Sequence, residues 1–222
     1  MLNWLKHKDY PDFWNEYHKN FNSKTAHTLT TTRFVIFDTE TTGLNTQTDR
    51  ILSIGAIGLT GNVIDITDSF EMYITQDTFN PETVKIHGIL KQGHITKVSE
   101  KEAIQLFLEY IKDSILVAHH TRFDLTMINN ALARLQLPKL KNKTLDTEIL
   151  FKKTKLCNQH NQRYSLDKLC NIFNIAMHDR HTASGDAYIT SLIFLKIIAL
   201  LKKERKITLK DLFFGQNRRG LL

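Results

Sequence analysis

Cysteine is scarce in this 222-residue chain, with Cys157 and Cys170 its only two. Two cysteines build neither a disulfide framework nor a cysteine-rich zinc site, so a reducing cytoplasm is the expected compartment. Long hydrophobic runs are also lacking. The longest, Ile189 to Leu201, is interrupted by Lys196 and falls short of a bilayer span. The opening MLNWLKHKDYPDFW is too polar for the core of a secretory signal. The expectation is a soluble protein with no membrane partner. Three prolines, nine glycines, 41% hydrophobic and 24% charged residues exclude wholesale disorder, collagen-like repeats and coiled coil. The length suits one medium domain with a sizeable core.

Acidic residues are outnumbered 23 to 30, giving a net charge of +7 and a pI near 9.3. The excess is clustered. Lys139 to Arg163 holds seven basic residues against Asp146 and Glu148, and Lys196 to Arg219 holds eight against Glu204 and Asp211. Such clusters suit a polyanion through phosphate neutralisation and counterion release. A solvated basic face explains them equally well.

Three segments are expected. In residues 1–32, Phe13, Trp14, Tyr17 and Phe21 recur at roughly helical spacing, and Asn22 to Thr32 reads as a polar linker. Residues 33–201 form the main body and residues 202–222 a basic tail. Within the body, RFVIF reads as a buried strand. Ile51 to Leu59 and Val63 to Ile74 read as two more strands, antiparallel across Thr60-Gly61-Asn62. Pro81 opens a short helix leading to Ile86-His87-Gly88. Ser99 and Glu102 form a capping box for a helix through Ile111. A strand at Ile115 to Ala118, a helix at Phe123 to Leu135, a strand end at Thr144 to Asp146, and helices at Ser165 to Phe173 and Ala183 to Leu201 complete the body. The fold class is α/β, a mixed sheet with helices on both faces.

The chemistry gathers around acids. In VIFDTETTGL, Asp38 and Glu40 stand two residues apart, so both project from one face at the end of a buried strand. Like charges this close need a cation or a proton, and the carboxyl end of a strand is where open α/β sheets place sites. Asp124 falls in the first turn of a helix, where the helix dipole alone also favours aspartate. Asp186 opens the last helix beside Gly185, which permits close approach. His181, five residues earlier, sits about 140° away on a continuous helix, so it belongs to the entering loop with Thr182 or Ser184 as cap. Four acids at strand ends and helix starts are the donor set of hard cations, Mg²⁺ or Mn²⁺. Carboxylate-rich sites holding two such ions serve phosphoryl transfer, and a histidine titrating near neutrality can take a proton from water.

Asp38-Thr39-Glu40-Thr41-Thr42-Gly43-Leu44, Phe123-Asp124 and His181-Thr182-Ala183-Ser184-Gly185-Asp186 resemble, in order, the three motifs of the DEDDh 3′–5′ exonucleases. DTETTGL, Ile86-His87-Gly88-Ile89 and the HxAxxD ending are most similar to the proofreading epsilon subunits of bacterial DNA polymerase III and their stand-alone relatives. The likeness spans about Arg33 to Leu201. It implies an RNase H-like sheet, two divalent metals per site held by Asp38, Glu40, Asp124 and Asp186, and His181 as general base. Thr41 and His87 match positions near the 3′-terminal nucleotide, although His87 suits a loop-capping role as well. Phe123 either stacks on a base or lies buried beneath Asp124.

Two departures stand out. His120 in AHHTRFD occupies a position where relatives often carry Asn, and the long polymerase-binding tail of epsilon is not matched. The resemblance implies hydrolysis of DNA from single-stranded or frayed 3′ ends to nucleoside 5′-monophosphates, in proofreading or repair. RNA trimming by the same chemistry, or a non-catalytic nucleic-acid-binding replisome adaptor, are the alternatives. A replicative polymerase is a candidate partner. Thr208-Leu209-Lys210-Asp211-Leu212-Phe213-Phe214 is similar to sliding-clamp-binding peptides around its Asp-Leu-Phe core, but folding back on the domain is the commoner fate of such a segment.

Overall fold

The computed structural model describes residues 9–22, 27–78, 80–91 and 94–214. Trp4 and the end of the basic tail, with Arg218 and Arg219, therefore lie outside the described residues, as does part of the Asn22 to Thr32 stretch.

A five-stranded sheet carries the molecule in the order β3-β2-β1-β4-β5. It comprises β1 (Arg33–Thr41), β2 (Ile51–Thr60), β3 (Val63–Tyr73), β4 (Ile115–Ala118) and β5 (Thr144–Asp146). The β1-β2-β3 meander is antiparallel and turns at Gly61, whose φ of 65° lies in the left-handed region that glycine tolerates. β4 and β5 add in parallel. Among the described residues the α-helices are α1 (Asp12–Lys19), α2 (Pro81–His87), α3 (Glu100–Ile111), α4 (Arg122–Arg134), α5 (Thr147–Phe151), α6 (Leu166–Phe173), α7 (Ala183–Glu204) and α8 (Leu209–Phe213). This is the RNase H-like α/β arrangement.

Alternation along β1 divides the core in two. Phe34 and Ile36 face a cluster built with α5, α6, α7 and α8, whereas Val35 and Phe37 face one built with α1, α3 and α4. On the second face Trp14 and Tyr17 of α1 are buried. The Tyr17 hydroxyl donates to Asn142 Oδ1 at 2.7 Å and accepts from the Lys141 N–H, tying α1 to the segment before β5.

The structure extends several expectations. β1 runs on past Phe37 to Thr41, so Asp38 and Glu40 belong to the strand itself. The Ser99 hydroxyl accepts from the Glu102 N–H, one half of the expected capping box. Helices α5 and α8 were not read from the sequence; each spans five residues, too short for a periodic pattern. Helix α7 covers 22 residues, so its length and composition reach those of a membrane span, which the interrupted run at Ile189 to Leu201 did not suggest. Its Ile189, Ile193, Phe194, Ile197, Ile198 and Leu201 are buried in the core. α8 folds back on the domain, with Leu212 in the same core cluster and Phe214 exposed.

Candidate active site

Beyond Ile36, β1 has no partner in β4, because the parallel register ends at Ile36–Val117. Asp38 and Glu40 follow Phe34 and Ile36 along β1, on the face of the sheet that packs against α7. One carboxylate oxygen from each of them and one from Asp186 lie within 4.8 Å of one another. Two glycines make this approach possible. Gly55, opposite Asp38 in β2, lies so close to the start of α7 that an added Cβ would sit 2.2 Å from the Ala183 carbonyl carbon. Gly185 holds the loop against the helix, since a Cβ there would sit 2.1 Å from the Asp179 carbonyl oxygen. The sequence singled out Gly185; Gly55 escaped notice, although a glycine inside an apolar strand signals close backbone approach.

Asp124 comes from the first turn of α4. Its Oδ1 accepts from both the backbone N–H and the hydroxyl of Thr39, at 3.1 and 2.7 Å. The loop after β1 is ordered by Asp49, which accepts from the Thr42 hydroxyl and the Asn45 N–H and packs against Gly43. Asn80 at the cap of α2 donates to the Thr42 carbonyl.

Electrostatically the acids are crowded. Burial raises Asp38 well above the ordinary carboxylate range, and the charges of Asp124, Asp186 and Glu40 push the same way. Burial and Asp186 lift Glu40 to about 8, with Arg180 opposing. Burial lifts Asp124 to about 7 against its hydrogen bonds from Thr39. Asp186 is also raised by burial, opposed by Arg180 and His181. Asp186 Oδ1 is buried with no hydrogen-bond partner among the described residues. Three clustered carboxylates, one of them with a buried oxygen left without a hydrogen bond, are an all-oxygen donor set that fits a hard divalent cation.

His181 lies just outside α7, exposed, with a φ of 68°. Thr182 caps the helix by accepting from the Gly185 N–H. Thr41 is buried, and its hydroxyl donates to the Gly43 carbonyl at 2.7 Å. His87 is buried and does cap its loop, Nδ1 accepting from the Ile89 N–H at 3.0 Å; Nε2 has no hydrogen-bond partner among the described residues. Burial lowers its pKa, keeping it neutral. Phe123 packs partly buried against the second core cluster. His120 adopts a φ of 61°, a left-handed conformation in which Asn is favoured. Its Nδ1 is 3.1 Å from Glu148 Oε2, so the histidine is held by α5.

Sequence reasoning missed Arg180, Asp167 and His119. The Arg180 guanidinium donates to Asp186 Oδ2 and, through Nε, to Asp167 Oδ1 at 2.7 Å. His119 is pushed down to about 3 by burial and the neighbouring His120. With Asp38, His120, Arg163 and Asp186, Arg180 and His119 line a cleft of about 320 Å³. Arg180 adjoins the motif histidine, which was the one local signal available.

The family model RNase_T, described as Exonuclease, matches residues 35–194. The chain belongs to the exonuclease family. Among its relatives, the epsilon subunit of DNA polymerase III from Treponema pallidum (strain Nichols) is 32% identical over 167 residues, covering 75% of this chain and 76% of that protein. The PolC-type DNA polymerase III of Caldanaerobacter subterraneus subsp. tengcongensis is 33% identical over 171 residues, covering 77% of this chain. The chain spans only 12% of the length of that polymerase. In fold, this exonuclease-family chain is similar to E. coli exonuclease I in complex with a dT13 oligonucleotide. That likeness has a TM-score of 0.67 at 17% identity, over 78% of this chain and 42% of the other.

Proposed function

We propose that this chain is a metal-dependent 3′–5′ exonuclease that hydrolyses DNA to nucleoside 5′-monophosphates, in proofreading or repair. The observation that carries the reading is the convergence of one carboxylate oxygen each from Asp38, Glu40 and Asp186 to within 4.8 Å of one another. Asp38, Glu40, Asp124 and Asp186 would hold two ions, Mg²⁺ or Mn²⁺. When bound, the pair supplies Lewis acidity to the phosphodiester and acidity to water.

The chain's own residues do the rest. Thr39 fixes the Asp124 carboxylate by two hydrogen bonds. His181, exposed on the loop entering α7, takes the proton from the attacking water at an imidazole nitrogen. Thr41 and His87 lie on the segments that would receive the 3′-terminal nucleotide, with the His87 Nε2–H an unused donor, because Nδ1 accepts. The basic excess of the chain favours a polyanionic substrate. The relatives named as polymerase III subunits support DNA as that substrate and a replicative polymerase as a candidate partner. A sliding clamp is a weaker candidate, because Leu212 of the Asp-Leu-Phe core is buried.

Initial rates on matched single-stranded DNA, a duplex with a mismatched 3′ end, and RNA of the same sequence test the assignment. The expected order places single-stranded and frayed DNA first. Faster cleavage of RNA would move the chain to RNA processing, and binding without cleavage of any of the three would make it an adaptor.

A further inference from the structure

Arg180 bridges two acids with different surroundings. Asp186 is in the acid cluster and its side chain is 6% exposed, whereas Asp167, in α6, is 52% exposed. The guanidinium donates through Nη1 to Asp186 Oδ2 and through Nε to Asp167 Oδ1. Asp186 Oδ2 is thereby satisfied, while Oδ1 is buried with no hydrogen-bond partner among the described residues. The two oxygens of one carboxylate thus have distinct environments. A carboxylate rotates freely about its last bond unless one oxygen is held, and a planar fork anchored at a second point holds it as a lysine cannot.

We propose that Asp167–Arg180–Asp186 is a positioning relay that aims Asp186 Oδ1 at the metals, so that Arg180 sets metal affinity without touching metal. This rests on reading the four acids as a metal site. Partners behind the ligands commonly fix ligand orientation in this way, and their loss costs 10–100-fold in metal affinity or activity. The alternative is that the guanidinium competes with the cation for Asp186. The two roles change metal affinity in opposite directions.

Mn²⁺ binding to the full chain, followed by calorimetry after EDTA treatment and dialysis, separates them. Arg180→Met is expected to weaken Mn²⁺ binding about 10–100-fold, with Arg180→Lys intermediate. Asp167→Asn should weaken it in the same direction, and should add nothing further in the Arg180→Met background. Asp167→Asn leaves the guanidinium in place, so it reports on the relay even if Arg180→Met fails to fold. Arg180→Met binding as tightly as wild type, or more tightly, would overturn the relay, as would an unchanged affinity in Asp167→Asn. Wild type that binds no Mn²⁺, with Asp38→Asn indistinguishable from it, would instead overturn the metal-site reading beneath the proposal.

Discussion

Gly55→Ala is the smallest change that should separate the acids without removing one. The new Cβ would lie 2.2 Å from the Ala183 carbonyl carbon and from Ser184 N, and 2.5 Å from Ala183 O. All three are backbone atoms at the start of α7, so no side chain can swing away. Contacts of this kind are comfortable at about 3.5 Å, so α7 and β2 must part by about 1.3 Å. Overpacking of this size costs roughly 1–3 kcal/mol of stability. The larger effect falls on chemistry, because the displaced segment carries Asp186 and the displaced strand is paired with Asp38. Misplacement of about 1 Å costs on the order of 10² in rate. The assay is steady-state cleavage of a single-stranded oligonucleotide in saturating Mg²⁺, with thermal melting in parallel. Gly61→Ala serves as the control: it strains a left-handed turn far along the meander and should cost about 1–2 kcal/mol, with kcat retained. A Gly55→Ala protein with wild-type kcat and metal affinity would refute the idea that the Gly55 contact positions Asp186.

His181→Ala should lower kcat by roughly 10²–10⁴-fold while Mn²⁺ affinity, measured by calorimetry, stays near wild type. A large loss of metal binding would make His181 a ligand instead. Burial raises Glu40 from 4.5 to about 8 and Asp124 from 3.8 to about 7, so the fold holds these protons more tightly than the unfolded chain does. Their contribution to stability in EDTA is therefore fully present below the ordinary carboxylate values and is lost as pH rises toward about 8. Thermal melting across that window should show the decline, Mg²⁺ should flatten it, and metal affinity should grow with pH as protons are released. Leu212→Ala should destabilise the chain by roughly 2–5 kcal/mol, read by urea unfolding, because Leu212 belongs to the core.

The local patterns that sequence exposes are those carried by neighbours in the chain. Alternation in RFVIFDTET placed Asp38 and Glu40 on one face, and Gly61 marked the β2–β3 turn. The helix starting after Thr182 was visible from the offset between His181 and Asp186. What escaped depends on groups distant in sequence. Gly55 matters only because α7 crosses it, and Arg180 only because Asp167 lies beside it in space. The same holds for α1, whose aromatic spacing was legible but whose anchor, Asn142, is 125 residues from Tyr17. His120 shows the converse. Its replacement of Asn was plain in the sequence, but Glu148, which holds it, lies on a five-residue helix without a periodic signature.

The most direct test of the whole account follows a 5′-labelled single-stranded DNA through digestion by wild type and by Asp38→Ala. With Mg²⁺, wild type should shorten the strand stepwise from its 3′ end, keep the label on the shrinking ladder, and release nucleoside 5′-monophosphates. EDTA should stop the reaction, and Asp38→Ala should be inert yet folded, since removing one crowded carboxylate relieves repulsion. Release of the label as the first product, or undiminished degradation in EDTA or by Asp38→Ala, would contradict the account.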